Sequence, residues 1–188
     1  MKIGKHEFQT KGHTYVMGIL NVTPDSFSDG GRWNDKDRAL RHVEEMLQEG
    51  ADIIDIGGES TRPGHTFLPE DEEMDRVIPI IEAVKSAFDV PVSLDTYKAR
   101  VASAGIAAGA DLINDVWGLK YDGWNTPDNG TGRQEGGAMA QVIAASGLPC
   151  CLMHNRRDMD YQDFLHDLMG DLQETLRLAE QAGIGKEK

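Results

Sequence analysis

The sequence predicts an α/β barrel, and three observations carry the prediction. Short apolar runs alternate strictly with amphipathic helical patterns along the 188 residues, which requires parallel strands joined by right-handed crossovers. Polar residues stand at or just past the C-terminal end of every run: Asn21, Asp55, Asp95, Asn114 and His154. In a barrel those ends converge on one mouth, whereas in an open sheet they spread along an edge. Neither a GxGxxG nor a GxxxxGK[ST] follows the first strand, which weakens the case for an open nucleotide-binding sheet.

Taken in order, the strands are predicted at 15–20, 52–56, 90–94, 112–114 and 149–153. Helical spacing of apolar residues separates them at 35–49, 70–88, 97–108, 134–146 and 160–182. In the first helix Ala39, Leu40, Val43, Met46 and Leu47 recur on one face, with Asn34 placed to cap the start and Gly50 just past the end. Pro79 is expected to interrupt or kink the second, because it has no N–H for an interior bond. The pattern also repeats: Gly50-Ala51-Asp52-Ile53-Ile54-Asp55 returns as Gly109-Ala110-Asp111-Leu112-Ile113-Asn114. From Gly118 to Gly137 no apolar period survives, which reads as a long surface loop with Trp117 and Trp124 near its start.

Composition narrows the function. With 39% hydrophobic residues the chain can bury one sizeable core, so 1–188 reads as a single domain. No run is long enough to span a membrane and the N-terminus has no signal-peptide pattern, which makes the cytoplasm the expectation. The 19 basic and 32 acidic residues give a net charge of −13, which disfavours nucleic acid and anionic lipid as partners. An anionic substrate would need a local positive island, for which Arg32, Arg62, Arg156 and Arg157 are the candidates. Cys150 and Cys151, adjacent in an apolar run, read as buried thiols.

The strand ends carry the chemistry. After the first strand, Asn21 opens a polar loop containing Asp25, Ser26, Ser28 and Asp29, with Phe27 the one apolar residue among them. After the second comes GGESTRPG, whose glycines let the backbone approach a ligand and whose Arg62 offers a planar fork for phosphate or carboxylate. Asp95 in Ser93-Leu94-Asp95-Thr96 either caps the helix that follows or accepts N–H groups from a heterocycle. Asn114 both donates and accepts, which suits a ring edge of alternating polarity. Met153 offers a polarizable wall and His154 a hydrogen-bonding group, although such residues are more often core and structural.

The words MGILNVTPDSFSDGG and GGESTRPG, with the later strand ends, resemble the dihydropteroate synthases of folate synthesis over nearly the whole chain. That resemblance implies a (β/α)8 TIM barrel and a transferase that joins 4-aminobenzoate to a dihydropterin bearing a CH2-pyrophosphate, releasing pyrophosphate with Mg2+ present. It implies that Asn21 contacts the metal and pyrophosphate, and that Asp25 and Asp29 lie on a catalytic loop. Thr61 and Arg62 would hold the leaving group, Phe27 and Pro63 would enclose the aminobenzoate, and Asp95, Asn114, Val116 and Met153 would line the pterin pocket. A homodimer and sensitivity to sulfonamides are further implications.

Two departures stand out. The 120–136 loop looks longer than the family's link, and the sequence stops at 188 where the family runs into its sixth strand. The expectation is thus about five β/α units, with the first and fifth strands as open edges and little activity in this chain alone. Two rival readings are a pterin-dependent corrinoid methyltransferase, which lacks the aspartate-rich first loop, and a non-catalytic barrel fragment.

Overall fold

The computed structural model describes residues 1–9, 11–22, 31–60, 67–121, 137–156 and 159–188, with 31–35 described in backbone alone. Asp25, Phe27, Asp29, Thr61, Arg62, Pro63, Trp124, Arg157 and most of the 118–137 loop lie outside these residues.

Five parallel strands form one sheet in the order β3 (Met17–Asn21), β4 (Ile53–Gly57), β5 (Val92–Asp95), β6 (Leu112–Asp115) and β7 (Cys150–Leu152). Each strand adds to the same edge as the one before, with no reversal of order. That is the winding of a barrel; a doubly wound sheet turns back at a switch point. As expected, the first and last strands of the series are the outer ones. Between them run α1 (Gly31–Gln48), α2 (Glu70–Ala87), α3 (Ala99–Ala108) and α4 (Ala138–Ser146), and α5 (Phe164–Ala182) follows β7.

Strand alternation sorts the side chains into two faces. Leu20, Ile56, Leu94 and Ile113 stand in adjacent register and pack in the core that the sheet shares with the helices. Ile54 and Val92, two residues earlier, do the same and are fully buried. The opposite parity faces the inside of the curve, where Ile19 is 61% and Met153 44% exposed. At the foot of that inner face a hairpin, β1 (Lys2–Ile3) with β2 (His6–Glu7), buries Ile3 and Phe8 against Ile53 and Leu112. No sequence pattern announced this hairpin, because two-residue strands have no period.

Several boundaries differ from the sequence reading. α1 begins at Gly31, so Asn34 lies inside it and does not cap it; an interior Asn costs only tenths of a kcal/mol, about 0.7 at most. α2 runs unbroken through Pro79. Pro79 is exposed, so its ring and missing N–H lie on the solvent side of the helix. α3 starts at Ala99 and α5 at Phe164, where Asp163 caps by accepting the His166 N–H at 3.1 Å. Cys151 is exposed, contrary to the buried-thiol expectation, because its parity turns it to the inner face while Cys150 packs against the core.

Candidate active site

The inner face builds the site in two layers. At the strand ends Asn21, Gly57, Asp95, Asn114 and Cys151 are paired in a continuous register. One step below them lie Ile19, Asp55, Ser93 and Leu112. Gly57 lies close beside Asp95: a Cβ there would stand in ordinary contact, 3.4 Å, with the Asp95 carboxylate. Residues from five strands are thereby brought to one surface by parity and register alone.

Asp95 does not cap α3. That helix has Lys98 at its N-cap with no side-chain cap bond, and the nearby turn is closed by the Thr96 hydroxyl, which accepts the Lys98 N–H at 3.3 Å. The Asp95 carboxyl is left on the inner face, where burial first and then the carboxylates of Asp55, Glu73, Asp115 and Glu59 push it up to about 7. Among the described residues no ion pair to Asp95 matches the one by which Lys98 compensates Glu59 and Glu73. A carboxyl kept poised in this way suits a ligand that brings its own N–H groups.

Asn114 is the second feature. Its Nδ2 donates toward both Asp55 oxygens, at 3.5 and 3.4 Å, while the Ser93 hydroxyl donates to Asp55 Oδ1 at 2.5 Å. Burial raises the Asp55 carboxyl, and the two donors pull it back. Asn114 Oδ1 is buried with no hydrogen-bond partner among the described residues. An orphaned acceptor of this kind costs about 1–3 kcal/mol, a debt that a bound donor would clear.

The neighbours of these residues are structural. Asp115 accepts the N–H groups of Trp117 at 2.9 Å and Leu119 at 2.7 Å, which fixes the turn that begins with the half-buried Val116. Trp117 packs near Tyr97 and Tyr121 as an anchor. Met153 is exposed on the inner side and lies outside the core. His154 and Arg156 both engage Asp171 of α5, at 2.8 and 2.5 Å, so Arg156 is neutralised and leaves the positive island to others. The Arg156 guanidinium beside it holds the Asp171 carboxyl below its usual range.

Behind the second strand end sits a group that the sequence reading missed. Lys98, 1% exposed, donates to Glu59 at 2.7 Å, to Glu73 at 2.5 Å and to the Leu68 carbonyl at 2.5 Å. Glu59 also accepts the Tyr97 hydroxyl at 2.7 Å and the Leu68 N–H at 3.0 Å. The residues on either side of 60–67 are thus tied to one another and to α3. The available signal was weak: a lysine two residues past a strand-end Thr reads as solvated helix surface.

Asn21, which the resemblance assigns to a metal, ends β3 with its side chain exposed. Its amide oxygen is a hard donor of the kind Mg2+ accepts, and Mg2+ commonly takes one or two protein ligands beside phosphate oxygens. Among the described residues no group of three or more His, Cys, Asp or Glu is arranged to hold a metal. No helix among them is long and apolar enough to cross a membrane.

The comparisons agree with this fold. The chain is 53% identical to a dihydropteroate synthase of Clostridium beijerinckii over 187 residues, and 51% identical to that of Bacillus subtilis over 174. It covers 64% and 56% of the length of those relatives, and they cover 100% and 93% of it. Among solved structures, a dihydropteroate synthase of Clostridium difficile crystallised with pteroic acid matches with a TM-score of 0.83 at 43% identity, covering 100% of this chain and 64% of its own. One from Xanthomonas albilineans with 4-aminobenzoic acid matches at 0.79 and 42%, over 93% of this chain and 59% of its own. The five-stranded sheet is accordingly part of a (β/α)8 barrel of that type. Since the sequence pattern of pterin binding enzymes matches residues 17–188, inner face and strand ends together, the chain belongs to the pterin-binding enzyme family.

Proposed function

We propose that this chain carries the substrate-binding strand ends of a dihydropteroate synthase, within one barrel domain, and that it binds a 7,8-dihydropterin bearing a CH2-pyrophosphate. The observation that carries the reading is the pair Asp95 and Asn114. They are adjacent in register on the inner face, one poised near neutrality by burial and the other holding an orphaned acceptor. A pterin edge, with several N–H groups beside ring nitrogens, is complementary to both.

In this reading Asn21, with Thr61 and Arg62, holds the pyrophosphate together with Mg2+, which when bound supplies charge neutralisation to the leaving group. Asp25 and Asp29 approach from the first loop, Phe27 and Pro63 enclose the 4-aminobenzoate, and Val116 and Met153 flank the pterin. The protein's own part is to desolvate and orient the ring while the pyrophosphate departs and the aniline nitrogen attacks the methylene carbon. The resulting N–H proton passes to water or to the released pyrophosphate, so no strong protein base is required. Cytoplasmic residence, and a homodimer for the whole enzyme, complete the proposal.

The test is calorimetric titration of pyrophosphate with Mg2+, and separately of 6-hydroxymethyl-7,8-dihydropterin, into the protein and into Arg62→Lys. The variant keeps the charge but loses the bidentate fork, so pyrophosphate affinity should fall about tenfold while the pterin titration stays as it was. Equal affinity for pyrophosphate in the two proteins would count against the assignment.

A further inference from the structure

Asp55 touches no part of the ligand in the reading above, yet it is buried on the inner face one layer below Asp95 and Asn114, one strand from the first and two from the second. Its two neighbours define what it does. Ser93 donates to it from the adjacent strand at 2.5 Å, leaving the carboxylate fixed in place, and Asn114 Nδ2 reaches toward both of its oxygens from one strand further along.

A primary amide is nearly symmetric in shape, so its environment must decide which end is oxygen and which is nitrogen. Turning the Asn114 amide over would set Oδ1 against the Asp55 oxygens, acceptor against acceptor, and would give up the contacts that Nδ2 makes there. The orientation with the oxygen buried and unpartnered is the one that Asp55 enforces.

We infer that Asp55 is a positioning residue that locks the Asn114 amide with its oxygen toward the ligand, and that the lock makes the site select the reduced over the oxidised pterin ring. The inference rests on the pterin reading and deepens it. In a 7,8-dihydropterin the ring nitrogen N8 carries a hydrogen and donates; in the oxidised ring N8 is an acceptor. An acceptor-only Asn114 face meets the first with a hydrogen bond and the second with opposed lone pairs. Only the dihydro ring is electron-rich enough to assist departure of pyrophosphate from its methylene carbon, so a filter on oxidation state at this position keeps an unreactive look-alike out.

Asp55→Asn is isosteric and removes the constraint, because an Asn at 55 can offer either an oxygen or an N–H to Asn114. The experiment titrates 6-hydroxymethyl-7,8-dihydropterin, under anaerobic conditions, and oxidised 6-hydroxymethylpterin into wild type, Asp55→Asn and Ser93→Ala. Wild type is expected to prefer the dihydro compound by about tenfold, Asp55→Asn to bind the two within about threefold, and Ser93→Ala to fall between. In parallel, the side-chain amide resonances of Asn114 should move or double in ligand-free Asp55→Asn, which reads the amide directly even where binding is weak. A full wild-type preference retained in Asp55→Asn, with unmoved Asn114 resonances, overturns the inference and leaves the pterin reading standing. A wild type that binds both rings equally also overturns it, and one that binds neither removes the pterin reading and this inference together.

Discussion

Replacing Asp95 with asparagine should make the protein more stable at neutral pH while weakening its hold on ligand. Burial and four nearby carboxylates raise the Asp95 carboxyl from 3.8 to about 7. The folded state then keeps a proton that the unfolded chain releases near pH 4, so between those values the native protein binds more protons than the unfolded. A group raised in this sense contributes stability that is fully present below about pH 4 and is lost as pH climbs to about 7, at about 1.4 kcal/mol per unit, or about 4 kcal/mol in all. Asparagine mimics the neutral acid and has nothing to lose. Urea unfolding of wild type and Asp95→Asn should therefore give similar stabilities near pH 4 and a gap of about 3–4 kcal/mol in favour of the variant at pH 8, other titrations cancelling in the difference. Dihydropterin affinity should fall in the same variant, since an amide N–H would now face a ring N–H. Stability curves that run parallel from pH 5 to 8 would refute the account of Asp95 as a carboxyl raised by burial and its carboxylate neighbours.

Three further outcomes follow from packing and exposure. Lys98→Met leaves Glu59 and Glu73 buried without their shared ammonium and should cost about 3–5 kcal/mol; an unchanged melting temperature would contradict the burial of that cluster. Gly105→Ala would drive a methyl group into Leu94 across the α3–β5 contact, so chemical denaturation should show a loss of about 1–3 kcal/mol, and a neutral result would mean that the helix can slide away. Burial raises both thiols, Cys150 up to about 11, but Cys151 is exposed while Cys150 is half-buried. A maleimide should thus label Cys151 first, and saturating pterin, bound one register position away at Asn114, should slow it; preferential labelling of Cys150, read by peptide mass, would reverse the assigned faces.

The parallel order and the five strand positions were legible because each strand is an apolar run bounded by breakers, and because alternation with helices leaves few topologies. Asp95 and Asn114 could be chosen as site residues from their place at strand ends. Their partners could not: the link from Asn114 to Asp55 spans two strands, and only register shows that Asp55 lies beneath it. Lys98 was missed for a related reason, since its partners Glu59 and Glu73 are 39 and 25 residues away in sequence. The Asn34 cap and the break at Pro79 failed because each is a local preference of at most a few kcal/mol, which packing of the helix face overrides.

The N-terminal hairpin gives the inner space a floor. With Ile3 and Phe8 pressed onto Ile53 and Leu112, and Gly4 turning at φ 58° so closely over Asp111 that a side chain there would collide with it, the foot of the inner face is filled with protein. A ligand resting on Asp95 and Asn114 therefore cannot arrive from below, past the hairpin, and has to approach from above that floor. If the pterin lies deepest and the aminobenzoate nearer the rim, the second substrate stands in the doorway of the first. Under the proposed function, a pterin resting deepest would have to enter before the aminobenzoate, and the joined product to leave before either could be replaced.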